Sequence, residues 1–323
     1  MNITVFQALK EGEQQLLLHQ VPDARLDAEY LLAGVLNLPR LSLLIEKQKI
    51  LSREEYAAYR SFLDRRASRE PLQYILEEQP FMGYSFRTDK RALIPRNDTE
   101  AVCEEALSHI RGRMQVLDLC TGTGAVGIAI KKMRPGCDVT LSDLSREALS
   151  LAWENAERLQ ADVRILEGDL FAPVQGDRFH LIVSNPPYIP EGLRGTLQKE
   201  VEKEPEMALF AGADGLDFYR RIAREAPLHL HEKGWLVLEC GDDQPAAIMA
   251  LLGQAFEDIR IIRDMNGHDR GGGSYRLQVH PAVGSWDSLP MLWQSPACAA
   301  YRKAGCKPDC FAHFQDQRSA AAP

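Results

Sequence analysis

The chain has 323 residues, 45% of them hydrophobic, and a formal net charge of −8. That apolar content excludes global disorder, and the longest apolar runs, such as 16–18 and 125–130, fall far short of the roughly 20 residues a membrane helix needs. The length suits one large domain plus a smaller one, and the acidic balance argues against non-specific nucleic-acid binding.

Seven cysteines, an odd number, are spread along the chain. That pattern fits a reducing cytoplasm and not a disulfide framework. No basic region or apolar stretch suggests a secretory signal after Met1, so a cytoplasmic location is expected.

Residues 1–75 read as successive helices. Phe6, Leu9, Leu16 and Leu17 recur at helical spacing, as do Leu26, Tyr30, Leu31, Val35 and Leu36. Ser52 with Glu55 forms a capping-box pattern before Tyr56, Tyr59, Phe62 and Leu63. Ten Lys/Arg balance ten Asp/Glu in this region, so it carries no net charge. It is read as a small helical domain that covers the sheet or docks a partner. Residues 76–92, with Pro80, Gly83, Phe81, Tyr84 and Phe86, read as a hairpin linker.

Residues 93–281 alternate strand and helix signals after a polar helix start at Asn97-Asp98-Thr99-Glu100. Strand-like runs fall at 115–120, 138–142, 163–166, 180–184, 235–239, 258–262 and 274–280, with helical patterns at 126–133, 146–158, 218–230 and 245–255 between most of them. This alternation predicts an α/β, doubly wound, Rossmann-like sheet of seven strands. A Gly-rich turn at 264–273 replaces the last crossover, so the last strand is expected to run antiparallel. Residues 282–323 lose periodicity and read as a flexible tail. Cys298, Cys306, Cys310 and His313 have a spacing that matches no common zinc finger, so no metal site is assigned.

Val116-Leu117-Asp118-Leu119-Cys120-Thr121-Gly122-Thr123-Gly124 is an apolar strand entering a Gly-rich turn and then a helix. Gly122, Gly124 and Gly127 fit the dinucleotide spacing, and Asp143 follows Gly122 by 21 residues, where a carboxylate would hold ribose hydroxyls. The pattern accommodates NAD, FAD or S-adenosylmethionine. Phe179 to Ser184 is a further strand that stops at Asn185-Pro186-Pro187-Tyr188. Two prolines cannot continue a ladder, and they make a rigid loop at the end of a strand where open α/β sheets bind ligands.

This last motif resembles that of class I S-adenosylmethionine methyltransferases acting on planar amino groups. The rest of the chain resembles the peptide chain release factor glutamine N5-methyltransferases, the PrmC/HemK family, over about residues 20–280. The resemblance is carried by Arg69-Glu70-Pro71-Leu72-Gln73-Tyr74-Ile75 and by 93–100. It continues in Glu204-Pro205-Glu206-Met207-Ala208-Leu209, in Gly212-Ala213-Asp214-Gly215-Leu216 and in Glu239-Cys240-Gly241-Asp242-Asp243-Gln244.

The resemblance implies S-adenosylmethionine as methyl donor, with S-adenosylhomocysteine as product. It places the cofactor against Asp118, Cys120, Thr121, Gly122, Thr123 and Gly124, with Asp143 on the ribose, Asp169 and Leu170 beside the adenine, and Asn185 near the methyl. Asn185, Pro186, Pro187 and Tyr188 are the implied catalytic residues. The implied protein substrate is the glutamine of the Gly-Gly-Gln motif in class I release factors, with no membrane and no direct nucleic-acid substrate. Cys120 stands where most class I methyltransferases have Gly, Leu170 where some relatives carry an aromatic, and Asn97-Asp98 where the family usually has Pro-Glu or Pro-Asp. A ribosomal-protein glutamine methyltransferase and an adenine N6 methyltransferase are the competing readings.

Overall fold

A computed structural model describes residues 2–253, 255–262 and 275–281. The Gly-rich turn at 264–273, the tail at 282–323 and its Cys298, Cys306, Cys310 and His313 lie outside the described residues. Two compact units are present, one from 1–79, 87–94 and 195–205, the other from 80–86, 95–194 and 206 onward. No helix among the described residues is long and apolar enough to cross a membrane.

The first unit begins with α1 (Val5–Leu18), α2 (Ala24–Leu36), α3 (Arg53–Ala67) and the single turn α4 (Leu72–Leu76). Thr4 with Gln7 and Ser52 with Glu55 close capping boxes on α1 and α3, satisfying end N–H groups that would otherwise go unpaired. The buried stripe of α1 is Val5, Ala8, Gly12 and Leu16, whereas Phe6 and Leu17 are exposed. The stripe is small because Tyr59 of α3 lies against it; a Cβ at Gly12 would overlap the Tyr59 hydroxyl.

Beneath this core lies a charge network. Arg66 donates from Nε to Asp27 at 2.7 Å and from Nη2 to Glu200 at 2.8 Å, and Arg69 pairs with the other Glu200 oxygen at 2.6 Å. Burial pushes the Asp27 carboxyl up despite Arg66. Glu200 is held down at about 2, because its two arginines outweigh the desolvation that opposes them. Glu204 of the same segment accepts from the buried Ile94 N–H at 3.0 Å. Segment 195–205 therefore joins this unit through carboxylates, a long-range pairing that helical periodicity cannot announce.

A hairpin, β1 (Glu78–Phe81) and β2 (Tyr84–Arg87), precedes α5 (Asn97–His109). Glu100 of α5 accepts from Met82 N at 2.6 Å in the hairpin turn. Next come β3 (Gln115–Leu119), α6 (Ala125–Met133), β4 (Asp138–Asp143), α7 (Arg146–Leu159), β5 (Arg164–Glu167) and β6 (Phe179–Ser184). The second unit ends with α8 (Asp217–His229), β7 (Leu230–Cys240), α9 (Pro245–Leu252), β8 (Phe256–Ile262) and β9 (Tyr275–Pro281). The sheet order is β5-β4-β3-β6-β7-β9-β8, with β9 antiparallel to both neighbours. This is the seven-stranded Rossmann-like sheet with an antiparallel last strand that the sequence predicts.

Alternation along the strands separates two cores. Val116, Leu141, Leu181, Val183 and Val237 pack with α5 and α6 on one face. Leu117, Leu119, Ile182, Leu236 and Leu238 pack with α8 and α9 on the other. Gly127 lets α6 approach the sheet closely, since a Cβ there would overlap the Leu141 side chain and crowd Asp118.

Arg66→Met leaves Asp27 and Glu200 without their shared partner and should destabilise the folded chain by about 3–5 kcal/mol, read in a urea titration. Gly127→Ala should cost about 1–3 kcal/mol through overpacking, read in the same assay with retained helical circular dichroism.

Candidate functional site

The site is built on one row of the sheet. Leu119 of β3 pairs with Ser142 of β4 on one side and Ser184 of β6 on the other, and Ser184 pairs with Leu238 of β7. The next residue on each strand is Cys120, Asp143, Asn185 and Glu239. Four parallel strands thus deliver three polar side chains, together with Cys120 of the Gly-rich turn, to the same carboxyl edge of the sheet. The chain order reverses direction at β3, so this edge is also a topological switch point. The buried Ser184 hydroxyl donates to Leu119 O at 2.6 Å and ties β6 to β3 at the row itself.

The turn after β3 is held from below by Asp118. Its Oδ2 accepts from the Thr121 hydroxyl at 2.5 Å and from Gly127 N at 2.8 Å, so one buried carboxylate fixes both the turn and the start of α6. Burial pushes Asp118 up to about 7, although these two donors pull the other way. Cys120, Gly122 and Gly124 all have positive φ, at 59°, 55° and 80°. The left-handed conformation at Cys120 explains why glycine suits this position, and cysteine occupies it at a backbone cost. Thr121 and Thr123 are buried, and the Thr123 carbonyl accepts from Asn155 Nδ2 at 3.0 Å.

The turn fits a nucleoside ligand. A Cβ on Gly122 would meet nothing within 4 Å, so the turn is open there. Asp143 accepts from Gly122 N through Oδ2 and from Ser145 N through Oδ1, each at 2.9 Å. The Leu144 amide also bears on this carboxylate, and of its roughly four lone-pair sites one remains for a hydroxyl donor. Burial raises the Asp143 pKa against these amides. Ser145, not Asp143, supplies the side-chain cap of α7, by accepting from Ala148 N. Asp143 is therefore not consumed by helix capping.

Asp169 is half exposed and pairs with Arg221 of α8 at 2.8 Å, a partner the sequence reading did not include. Leu170 is buried with φ 48° and packs into the second core. Asn185 is partly exposed, Pro186 and Pro187 are buried, and Tyr188 packs partly against the second core. Burial pushes the Tyr188 phenol up, so it remains neutral at physiological pH.

Several residues of the matched sequence runs turn out to hold the Asn185-Tyr188 loop. Gln244 donates from Nε2 to Tyr188 O at 2.8 Å and accepts from Gly241 N at 3.0 Å. Gly215 passes so close that a Cβ would overlap the Tyr188 carbonyl oxygen. Thr99, in the first turn of α5, accepts from Asn185 Nδ2 at 3.2 Å. Glu239 is 1% exposed and hydrogen-bonds with the side chains of both Thr99 and Asn185. Burial and the Asp98 charge push Glu239 up to about 7, while these hydrogen bonds and Arg96 oppose the shift. The sequence signal for Gln244, Gly215, Thr99 and Glu239 was their presence in the matched runs; nothing in their spacing indicated what they touch.

Comparison with known proteins adds a family. Residues 7–76 match the model for the PrmC N-terminal domain, and residues 101–204 match the methyltransferase small domain. A release factor glutamine methyltransferase of Geobacter sulfurreducens is 45% identical over 252 residues, covering 77% of this chain and 89% of that protein. The protein of the same name from Pseudomonas aeruginosa is 40% identical over 270 residues, covering 83% of this chain and 96% of the relative. The one from Bacillus subtilis is 34% identical over 278 residues, with 83% and 96% covered. Among solved structures, a methyltransferase from Pyrococcus furiosus covers 61% of this chain and 87% of its own, at 19% identity and a TM-score of 0.46.

The buried Asp118 has a stability consequence with a definite sign. Its folded-state pKa lies above the ordinary carboxylate value of 3.8, so the folded chain binds a proton that the unfolded chain has released. Its contribution is full below pH 3.8 and is lost as pH rises to about 7, a change on the order of 4 kcal/mol. Asn can place its own oxygen where Oδ2 accepts from Thr121 and Gly127. Urea titrations at pH 5 and pH 8 should therefore show Asp118→Asn losing less stability than the parent over that interval.

Proposed function

The chain belongs to the release factor glutamine methyltransferase family, and on that basis we propose that it methylates the side-chain amide nitrogen of a release-factor glutamine. The methyl donor is S-adenosylmethionine and the target is the glutamine of the Gly-Gly-Gln motif in class I release factors. The observation that carries this reading is the pairing of Leu119 with Ser184, which brings the Gly-rich turn and the Asn185-Tyr188 loop out of the sheet side by side.

The residues divide the work. Cys120, Thr121, Gly122, Thr123 and Gly124 form the turn at the start of α6 that meets the cofactor, open at Gly122 and held in shape by Asp118. Asp143 accepts from ribose hydroxyls. Asp169 and Leu170 border the adenine, with Arg221 steadying the Asp169 carboxylate. When bound, S-adenosylmethionine supplies an electrophilic methyl on a positively charged sulfur.

The glutamine nitrogen is a poor nucleophile, because its lone pair is delocalised into the carbonyl. Asn185 Oδ1 and the Pro186 carbonyl accept from its two N–H groups and turn the nitrogen toward the methyl. The same acceptors stabilise the positive charge that grows on nitrogen as it is alkylated. The product nitrogen carries one methyl in place of one proton, which passes to solvent, and the methyl–sulfur bond that breaks leaves neutral S-adenosylhomocysteine. Pro186 and Pro187 keep the acceptors in place without hydrogen-bonding in a strand, and Tyr188 lies beside the planar amide. The helical unit gives a second grip on the protein substrate, a reading supported by the highly exposed Leu18 and Ile45.

Incubation of a recombinant class I release factor with this protein and S-adenosylmethionine should add one methyl to the Gly-Gly-Gln glutamine, located by mass spectrometry of the digested factor. Asn185→Ala should lower kcat/KM by about 100- to 1,000-fold, the loss expected for one charge-stabilising contact. A methyl appearing on a ribosomal protein or on nucleic acid, and none on the release factor, would reassign the substrate.

A further inference from the structure

Glu239 has no part in the chemistry as derived, yet its carboxyl is buried under the site. Oε2 has no hydrogen-bond partner among the described residues. An apolar residue would fill this place without the cost of removing a carboxyl from water. The backbone is pinned here as well, because the buried Tyr219 hydroxyl donates to Glu239 O at 2.7 Å.

Its direction follows from the strand. Leu236, Leu238 and Cys240 of β7 pack into the second core and Val237 into the first, so Glu239 leaves β7 on the face that α5 covers. Thr99 belongs to the buried stripe of α5 that continues through Val102, Cys103 and Ala106. Asn185 follows Ser184, the register partner of Leu238. The three side chains therefore converge from three different elements.

Their hydrogen-bond chemistry is asymmetric. Above about pH 7 Glu239 is a carboxylate, and a carboxylate only accepts. A hydroxyl has one proton; when Thr99 donates it to Glu239, the lone pairs of Oγ1 face Asn185. Both inner neighbours of Asn185 then require a donor, and Nδ2 supplies it, at 3.2 Å from Thr99 Oγ1. The two ends of a side-chain amide have nearly the same shape, so packing cannot choose between them and only hydrogen bonding can.

We propose that Thr99 and Glu239 are positioning residues that lock the Asn185 amide with Nδ2 inward, leaving Oδ1 as the acceptor for the target amide. The proposal rests on the reading of Asn185 as the group that meets the substrate. In the opposite flip, Nδ2 would confront the glutamine NH2, donor against donor, and the site would repel the group it has to hold.

The test is a mutant cycle with two readouts. In the free protein, exchange of the Asn185 side-chain NH2 protons, followed by NMR, should be about tenfold faster in Thr99→Val and Glu239→Gln than in the parent. Equal exchange overturns the lock, and this readout does not depend on the identity of the substrate.

On the release factor, each of these variants should lower kcat/KM by about 10- to 100-fold, with the S-adenosylmethionine dissociation constant unchanged by calorimetry. Thr99→Ser, which keeps the hydroxyl, should restore the rate. Glu239→Gln should cost nothing further when added to Asn185→Ala, because its effect passes through that amide. Additive losses, or equal losses in Thr99→Ser and Thr99→Val, would overturn the proposal. A parent protein that leaves the glutamine unmethylated but protects the Asn185 amide would instead sink the functional reading and leave the lock standing.

Discussion

β3 hydrogen-bonds with β4 on one flank and β6 on the other, and this pairing sets where each functional side chain of the second unit stands. Parallel pairing requires a crossover between partners, so residues far apart in the chain can share one row. Leu119, Ser142, Ser184 and Leu238 form that row. A shift of one residue in any strand would turn its end residue to the opposite face. The cores on the two faces oppose such a shift, since it would exchange Val183 and Val237 with Ile182, Leu236 and Leu238 and break the packing of both faces.

Buried carboxylates recur at this edge, and each constrains a different piece of backbone or side chain. Asp118 holds the turn and the start of α6. Asp143 meets the turn from the neighbouring strand. Glu239 lies with Thr99 beneath Asn185. Desolvation raises all three pKa values. A set of fixed acceptors in a low-dielectric setting is suited to amide and hydroxyl ligands, and it needs no side chain to reorganise as charge develops. The first unit uses the same chemistry for architecture, with Arg66 and Arg69 neutralising Asp27 and Glu200.

Rigidity of the Asn185-Tyr188 loop has two sources. The prolines restrict its backbone from within. Gln244 grips the Tyr188 carbonyl from α9's approach, and Gly215 allows the chain before α8 to pass against the same carbonyl. Gln244 and Gly215 thus both act on the loop at the Tyr188 main-chain carbonyl, a contact that carries no distinctive signature in the sequence of the loop itself.

The amino-acid sequence by itself determined the strand and helix alternation, the antiparallel final strand, the Gly-rich turn and the Pro-Pro stop. These depend on local periodicity and on the backbone limits of glycine and proline, which act within a few residues. It also carried the family resemblance that its relatives share. Tertiary structure alone decided that Glu239 and Thr99 meet at Asn185, that Arg221 pairs with Asp169, and that Glu200 joins the helical unit through Arg66 and Arg69. Those contacts join residues 52 to 140 positions apart, and their formation depends on sheet register and helix packing, which no local pattern encodes.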